Sequence, residues 1–319
     1  MGRRYAAVLR AAHGVEICGY ADPNPEAREA VCRIAAAPAF ADHRALLAEI
    51  RPDAVCVCTP DDRHRAPAVD ALETGAALLV EKPLATSVED AGAIERAAAR
   101  SGAVAMVGHL LRFEGRYAAA RQAVAAGGVG HVHGVHAHRY AAAADRRRRG
   151  PRASGLWHLA VHDVDLVRWI TGREIIAVAA SGSNHGDEPP AIVAAHLALD
   201  GGGVAALEAA WVLPDAFCGH VWTGLVVMGS TGCVEVPSTH AAVAAHAGNA
   251  IVYTDPTRFF EPPGLPAQGA LREEIAAFLN AVRTGTPSPV PVADGRRAVE
   301  IVAALERALA EGTRVTIAA

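Results

Sequence analysis

Short apolar runs alternate with amphipathic stretches through the first hundred residues. Val15–Ala21, Ala54–Cys58, Ala76–Val80 and Ala103–Gly108 read as buried strands. Between and around them, Arg3–Ala12, Pro25–Ala36, His43–Ile50, His64–Thr74 and Val88–Arg100 carry the 3.6-residue period of helices. Strand and helix alternating in this way predict a parallel, doubly wound sheet, whose ligands lie at the carboxyl ends of its strands. Those ends are Asp22, Thr59-Pro60, Glu81-Lys82 and Gly108-His109.

The pattern changes in the second half. Val129–Tyr140 reads as a strand, Asp145–Gly150 as a basic loop and Leu156–Thr171 as a helix. Ile175–Ala180, Ala191–Leu199, Gly203–Val212, Thr223–Gly229 and Cys233–Val236 follow as strands parted by Gly, Asp or Pro turns. This predicts an open, mainly antiparallel sheet, one face under helices and the other free to pair with another subunit. A Pro-rich connection, Pro256–Pro266, leads to closing helices at Leu271–Arg283 and Gly295–Glu311. The expected organisation is a dinucleotide-binding domain over 1–110 and a substrate-binding and oligomerisation α/β domain over 111–319.

A net charge of −4 gives no general attraction to nucleic acid or anionic membrane. No stretch reaches the ~20 apolar residues of a membrane span, so a cytoplasmic enzyme is expected. Cys18, Cys32, Cys56, Cys58, Cys218 and Cys233 follow no zinc or redox spacing and are read as reduced and mostly buried.

Chemistry concentrates in two places. Glu81-Lys82-Pro83 closes the apolar run at 76–80, and the proline turns the chain so that the lysine faces the crevice. Trp157-His158-Leu159-Ala160-Val161-His162-Asp163-Val164-Asp165 sets histidines and aspartates on a helical period, which supplies an acid/base group. Asp22, ending the second strand of a dinucleotide fold, suits the adenosine ribose hydroxyls and repels a 2′-phosphate, favouring NAD over NADP. Gly2, twenty residues before Asp22, fits the last glycine of a Gly-x-Gly-x-x-Gly turn. The fingerprint's first strand and first two glycines are therefore expected upstream of residue 1, and without that strand its neighbours lose ladder partners.

His158 and His162 also have the i, i+4 spacing of a metal pair, though no metal is expected. His131, His133, His136 and His138 are split between strand faces, and Arg146–Arg149 reads as a solvated loop or a contact for a substrate anion.

These residues resemble the Gfo/Idh/MocA oxidoreductases, a family named for glucose-fructose oxidoreductase and inositol dehydrogenase. The resemblance rests on Ala21-Asp22-Pro23, Cys58-Thr59-Pro60 with His64, Glu81-Lys82-Pro83-Leu84, Val107-Gly108-His109 with Arg112-Phe113, and His162-Asp163-Val164-Asp165 with Trp169. Gly229-Ser230-Thr231-Gly232 and the run from Glu273-Glu274 through Phe278 to Val315 extend it. It implies a Rossmann domain, a C-terminal sheet used to form a dimer or tetramer, and hydride transfer at a sugar, amino-sugar or cyclitol carbon. Lys82 and His162 match the family's catalytic pair. Gly2, Asp22, Thr59, Pro60, His64, Glu81, Lys82 and Pro83 match its cofactor site. Lys82, His109, Arg112, His158, His162 and Asp163 match its substrate site. The match departs at His158, where many members carry an aspartate; Asp163 or Asp165 is then the expected carboxylate partner of His162, with a structural role equally open for Asp165. A redox-neutral epimerase or lyase holding NAD tightly, and a non-catalytic ligand-binding member, are the competing expectations.

Overall fold

The computed structural model describes residues 1–150, 154–183, 189–217, 221–237, 243–247, 250–254 and 269–318, the two short segments between 243 and 254 as backbone only. The chain forms two compact units: Met1–Leu110 with the described residues of 259–299, and the described residues of 111–258 with those of 300–319. The described stretch from 269 to 299, expected in the second domain, packs instead into the first unit. Cys218 and Pro256–Pro266 lie outside the described residues.

In the first unit, α1 (Gly2–Ala11), β1 (Tyr20–Ala21), α2 (Pro25–Cys32), β2 (Ala39–Phe40) and α3 (His43–Ile50) come first. They are followed by β3 (Ala54–Val57), α4 (Arg65–Glu73), β4 (Ala77–Glu81), α5 (Val88–Ser101) and β5 (Ala105–Gly108). Local chemistry sets the helix starts. Asn24, Asp42 and Ser87 cap α2, α3 and α5 by accepting the backbone N–H of Glu26, Arg44 and Asp90. Gly102, at φ 66°, ends α5 in the left-handed conformation.

All strand pairs in this unit are parallel, but they form two separate ladders, β1–β2 and β3–β4–β5. The strand expected over Val15–Ala21 is reduced to Tyr20–Ala21, because only Ala39–Phe40 pairs with it. A strand without a neighbour has no ladder to hold its backbone extended. β4 is buried throughout, with Leu78, Leu79 and Val80 fully enclosed, whereas most of β3 is half-exposed. From the C-terminal half, α9 (Ala270–Thr284) contributes Phe278 and Glu274 to this core. Gly295, in α10 (Val292–Glu311), packs against β5 so closely that an added Cβ would lie 2.7 Å from Val107.

The second unit is built on a seven-stranded sheet ordered β11-β10-β6-β9-β8-β7-β14. Its strands are β6 (Val132–Ala142), β7 (Ile175–Ser183), β8 (Ile192–Leu199), β9 (Val204–Leu213), β10 (Val221–Gly229), β11 (Cys233–Val236) and β14 (Val315–Thr316). Every pair is antiparallel except β6–β9. A separate hairpin pairs β12 (Val243–Ala247) with β13 (Ala250–Thr254). α6 (Gly115–Ala125) and α8 (Val161–Thr171) pack on each other and supply buried Tyr117, Val164 and Leu166.

Alternate positions of β9 separate the faces. Ala205, Leu207, Ala209 and Trp211 are buried, while Val204 and Val212 are exposed. His136 and His138 share the open face with Tyr140, as their two-residue spacing requires.

Two local expectations change. The basic stretch is helical, as α7 (Ala143–Arg149): alanine and arginine favour helix, and Asp145 bonds Arg148 one turn on. The cysteines are also more open than expected. Cys18, Cys32, Cys56 and Cys58 are half-buried and Cys233 is exposed, all as free thiols. Cys56 lies in β3 and Cys58 just past its end, and among the described residues β3 pairs with β4 on one edge alone. Among the described residues, no helix is long and apolar enough to cross a membrane.

Candidate active site

Lys82 stands immediately past the carboxyl end of β4, the central strand of its ladder and the best place for a precisely held group. It is the only lysine in 319 residues, against 29 arginines, a compositional signal that points to this position. Its backbone N–H donates to Glu81 Oε2 at 3.1 Å, and the Lys82–Pro83 peptide is cis.

Glu81 is buried, and burial pushes its carboxyl above the ordinary value. The Lys82 charge, the Tyr5 hydroxyl, the Lys82 amide and the His64 charge oppose that rise.

Several expected cofactor and substrate residues have other tasks. His64 is only 1% exposed, and its ring nitrogens lie 2.8 Å from the Pro83 carbonyl oxygen and 3.0 Å from that of Thr59. It therefore ties together the loops that follow β3 and β4 and offers no exposed edge to a ligand. Thr59 is half-buried and its hydroxyl donates to the Arg63 carbonyl at 3.1 Å, while Pro60 is exposed beside it. His109 is enclosed at the end of β5.

Asp22 follows β1. Its Oδ1 accepts the Asn24 N–H at 2.8 Å, which orients the carboxylate. Gly2 opens α1 with Met1 as its uncapped N-cap residue, and Arg3 and Arg4 occupy the first turn.

The donor set fits a dinucleotide. An acid suits ribose hydroxyls, the open N–H groups of a helix start and two arginines suit a pyrophosphate, and a lysine stands at the end of β4.

In the second unit, residues Leu156–Ala160 form a π-helical turn that runs directly into α8, so the helix expected over Leu156–Thr171 changes register within it. The Val161 N–H reaches back to the Leu156 carbonyl, five residues away, a feature often found at functional sites. His158 lies within this turn. Its Nδ1 is 3.1 Å from the Ser154 carbonyl, which can only accept, so Nδ1 carries the hydrogen. Trp211 meets the ring edge-on with centroids 6.3 Å apart. His162 is half-buried in the first turn of α8.

The carboxylates flanking His162 are already engaged. Asp163 accepts two hydrogen bonds from Arg139 of β6, at 2.9 and 2.8 Å, and Asp165 accepts two from Arg112, at 2.9 and 2.5 Å. All four side chains are at most 5% exposed. Both aspartates are thus committed to buried arginines, Asp163 to Arg139 and Asp165 to Arg112. Burial favours this use, because a charge withdrawn from water needs a paired and hydrogen-bonded opposite.

Arg139 was not singled out by the strand pattern. The available signal was an arginine at an inward position and two aspartates on a helix face that must be buried. Among the described residues, no group of three or more His, Cys, Asp or Glu would hold a metal ion.

Residues 1–109 match the model of an oxidoreductase family described as an NAD-binding Rossmann fold, and residues 117–235 match the GFO/IDH/MocA C-terminal domain. Inositol 2-dehydrogenase 1 of Saccharopolyspora erythraea is 29% identical, over 87% of this chain and 80% of its own. UDP-N-acetylglucosamine 3-dehydrogenase of Acidithiobacillus ferrooxidans is 29% identical, over 92% and 88%. The structure of scyllo-inositol dehydrogenase from Lactobacillus casei, with bound NAD(H) and scyllo-inositol, shares the fold at a TM-score of 0.83 and 19% identity, covering 99% of this chain and 95% of that one. The chain belongs to the GFO/IDH/MocA family of NAD-binding oxidoreductases.

Proposed function

We propose that the chain is an NAD-dependent dehydrogenase that oxidises a secondary alcohol of a sugar, amino sugar or cyclitol, with Lys82 and His162 as its catalytic residues. The observation that carries this reading is the placement of the chain's one lysine at the end of the buried central strand of an NAD-binding fold. Relatives named for inositol and UDP-N-acetylglucosamine support the substrate class.

Removing hydride from a carbinol carbon requires the hydroxyl proton to leave as well. His162 takes that proton, and an imidazole suits the task near neutral pH. The Lys82 ammonium donates to the same oxygen and stabilises the negative charge that develops on it. Bound NAD supplies the hydride acceptor. Gly2, Arg3 and Arg4 would hold its pyrophosphate, Asp22 its adenosine ribose, and the Thr59-Pro60 and Lys82-Pro83 loops the remainder.

We also read the uncovered sheet face as the surface of a homodimer or tetramer. Val204, Val212, Trp222 and Met228 are 60%, 45%, 41% and 43% exposed there, an apolar set that favours a partner over water. The free thiols among the described residues support a reducing compartment, and we place the protein in the cytoplasm.

The test is incubation with NAD and a panel of inositols, aldoses and nucleotide sugars. Free reduced cofactor that accumulates with one of them supports a dehydrogenase. Cofactor that is reduced and reoxidised without release contradicts it.

A further inference from the structure

Behind Lys82 lies a buried set of acids that the proposed mechanism does not use. The Tyr5 hydroxyl oxygen of α1 lies 3.2 Å from Glu274 Oε2 of α9. Both side chains are buried, Glu274 completely. Glu81 belongs to the same set. A Cβ added to Gly108 would lie 3.3 Å from the Tyr5 hydroxyl and 3.4 Å from the Glu81 Cα, so only glycine leaves the phenol this position without crowding. In both glutamates Oε1 is buried without a hydrogen-bond partner.

Two carboxylates in this setting would place two negative charges around one phenol, with two acceptor oxygens unsatisfied. Each unsatisfied charged group costs more than a neutral one, and close carboxyls divide their roles, one ionised and one protonated. The cations are distributed unequally. Lys82, His64 and Arg4 act on Glu81, which also accepts the Lys82 N–H. Among the described residues, the groups that act on Glu274 are Glu81 and Tyr5, neither of them a cation. The remaining titratable neighbours, Cys56 and Cys58, are thiols that burial keeps neutral.

We propose that Glu274 is held as the carboxylic acid of this set, and that Tyr5 and Glu274 thereby leave Glu81 as the single carboxylate beside Lys82. The proton on Glu274 is given to the Tyr5 oxygen as a hydrogen bond, and the Tyr5 hydroxyl is then free to serve Glu81. Tyr5 and Glu274 are positioning residues: they act on the charge beside Lys82 and do not touch the substrate. Their catalytic meaning rests on the dehydrogenase reading of Lys82, but the arrangement can be tested without substrate or cofactor.

Two spectroscopic readouts on the full chain decide it. Infrared difference spectra at pH 7 are expected to show a protonated carboxylic acid carbonyl that vanishes in Glu274→Gln, persists in Glu81→Gln and shifts in frequency in Tyr5→Phe. Because Lys82 is the only lysine, reductive ¹³C-methylation labels it and the α-amine alone. Its NMR titration midpoint is expected to fall by about one pH unit in Glu81→Gln and by much less in Glu274→Gln. Absence of the carbonyl band at pH 7, or its survival in Glu274→Gln, overturns the proposal. So does a Lys82 midpoint that Glu274→Gln lowers as far as Glu81→Gln. An inactive protein that gives the expected spectra would instead count against the dehydrogenase reading alone.

Discussion

Arg139 grips Asp163 through two parallel hydrogen bonds, from Nε at 2.9 Å and from Nη2 at 2.8 Å, one residue beyond His162. A charge of each sign is thereby cancelled inside the protein, and α8 is fixed to β6 at the turn that carries the histidine. Arg112 and Asp165 repeat the arrangement two residues further on. Two rigid forks rather than one leave little freedom of rotation to the helix between them.

Arg139→Met should cost about 3–5 kcal/mol, because it leaves Asp163 buried without its partner. Replacing Asp163 by Leu in the same chain should recover a large part of that loss, since neither charge then remains. Urea midpoints of the parent, the single variant and the double variant check this. A single variant as stable as the parent would mean that water reaches Asp163.

Stability should also depend on pH through Glu274. Burial, then the Glu81 charge, holds its carboxyl well above the ordinary value, against the Tyr5 hydroxyl. Its folded form therefore prefers the proton. That contribution is complete below the unfolded value, about 4.5, and is lost as pH rises toward the folded one. Thermal midpoints in Glu274→Gln should fall less steeply above pH 5 than those of the parent. Parallel curves would remove Glu274 as the cause.

How much was legible from sequence follows from the range of each interaction. β4 could be read because a strand buried on both faces is written as an unbroken apolar run, and the lysine at its end marks itself. α7 could not be read as a helix, since four consecutive arginines look like a solvated loop until Asp145 and Asp215 are seen to bind two of them. Tyr5 and Glu274 are 269 positions apart and Arg112 and Asp165 are 53 apart, so no local pattern joins them. His64 was legible as part of a motif but not in its task, because two backbone carbonyls leave no trace in a sequence.

Backbone exchange should distinguish the two ladders of the first unit. Amides of Val15–Ala21 have only the short β2 beside them, whereas those of Ala77–Glu81 lie between two strands. Hydrogen-exchange mass spectrometry should find the first segment exchanging by local opening at least tenfold faster than the second. Equal protection would show that another segment pairs with Val15–Ala21.

Cofactor choice should follow Asp22. Its carboxylate opposes a 2′-phosphate, so the parent should bind NAD more tightly than NADP, and Asp22→Ser should narrow the gap by roughly tenfold. Calorimetric titration with both dinucleotides measures this directly. Equal or better binding of NADP by the parent would remove Asp22 from the ribose site.

The central claim is that Lys82 stabilises the charge formed as hydride leaves the substrate. Lys82→Met keeps the side-chain length and deletes the charge, so the rate of nicotinamide reduction at saturating NAD and substrate should fall by a factor of about 10² or more. The fold and NAD affinity should stay as they are, and His162→Ala should lose the dependence of turnover on an ionisation near neutral pH. Measured with the best member of the sugar and cyclitol panel, near-parental reduction by Lys82→Met would place the chemistry elsewhere in the protein.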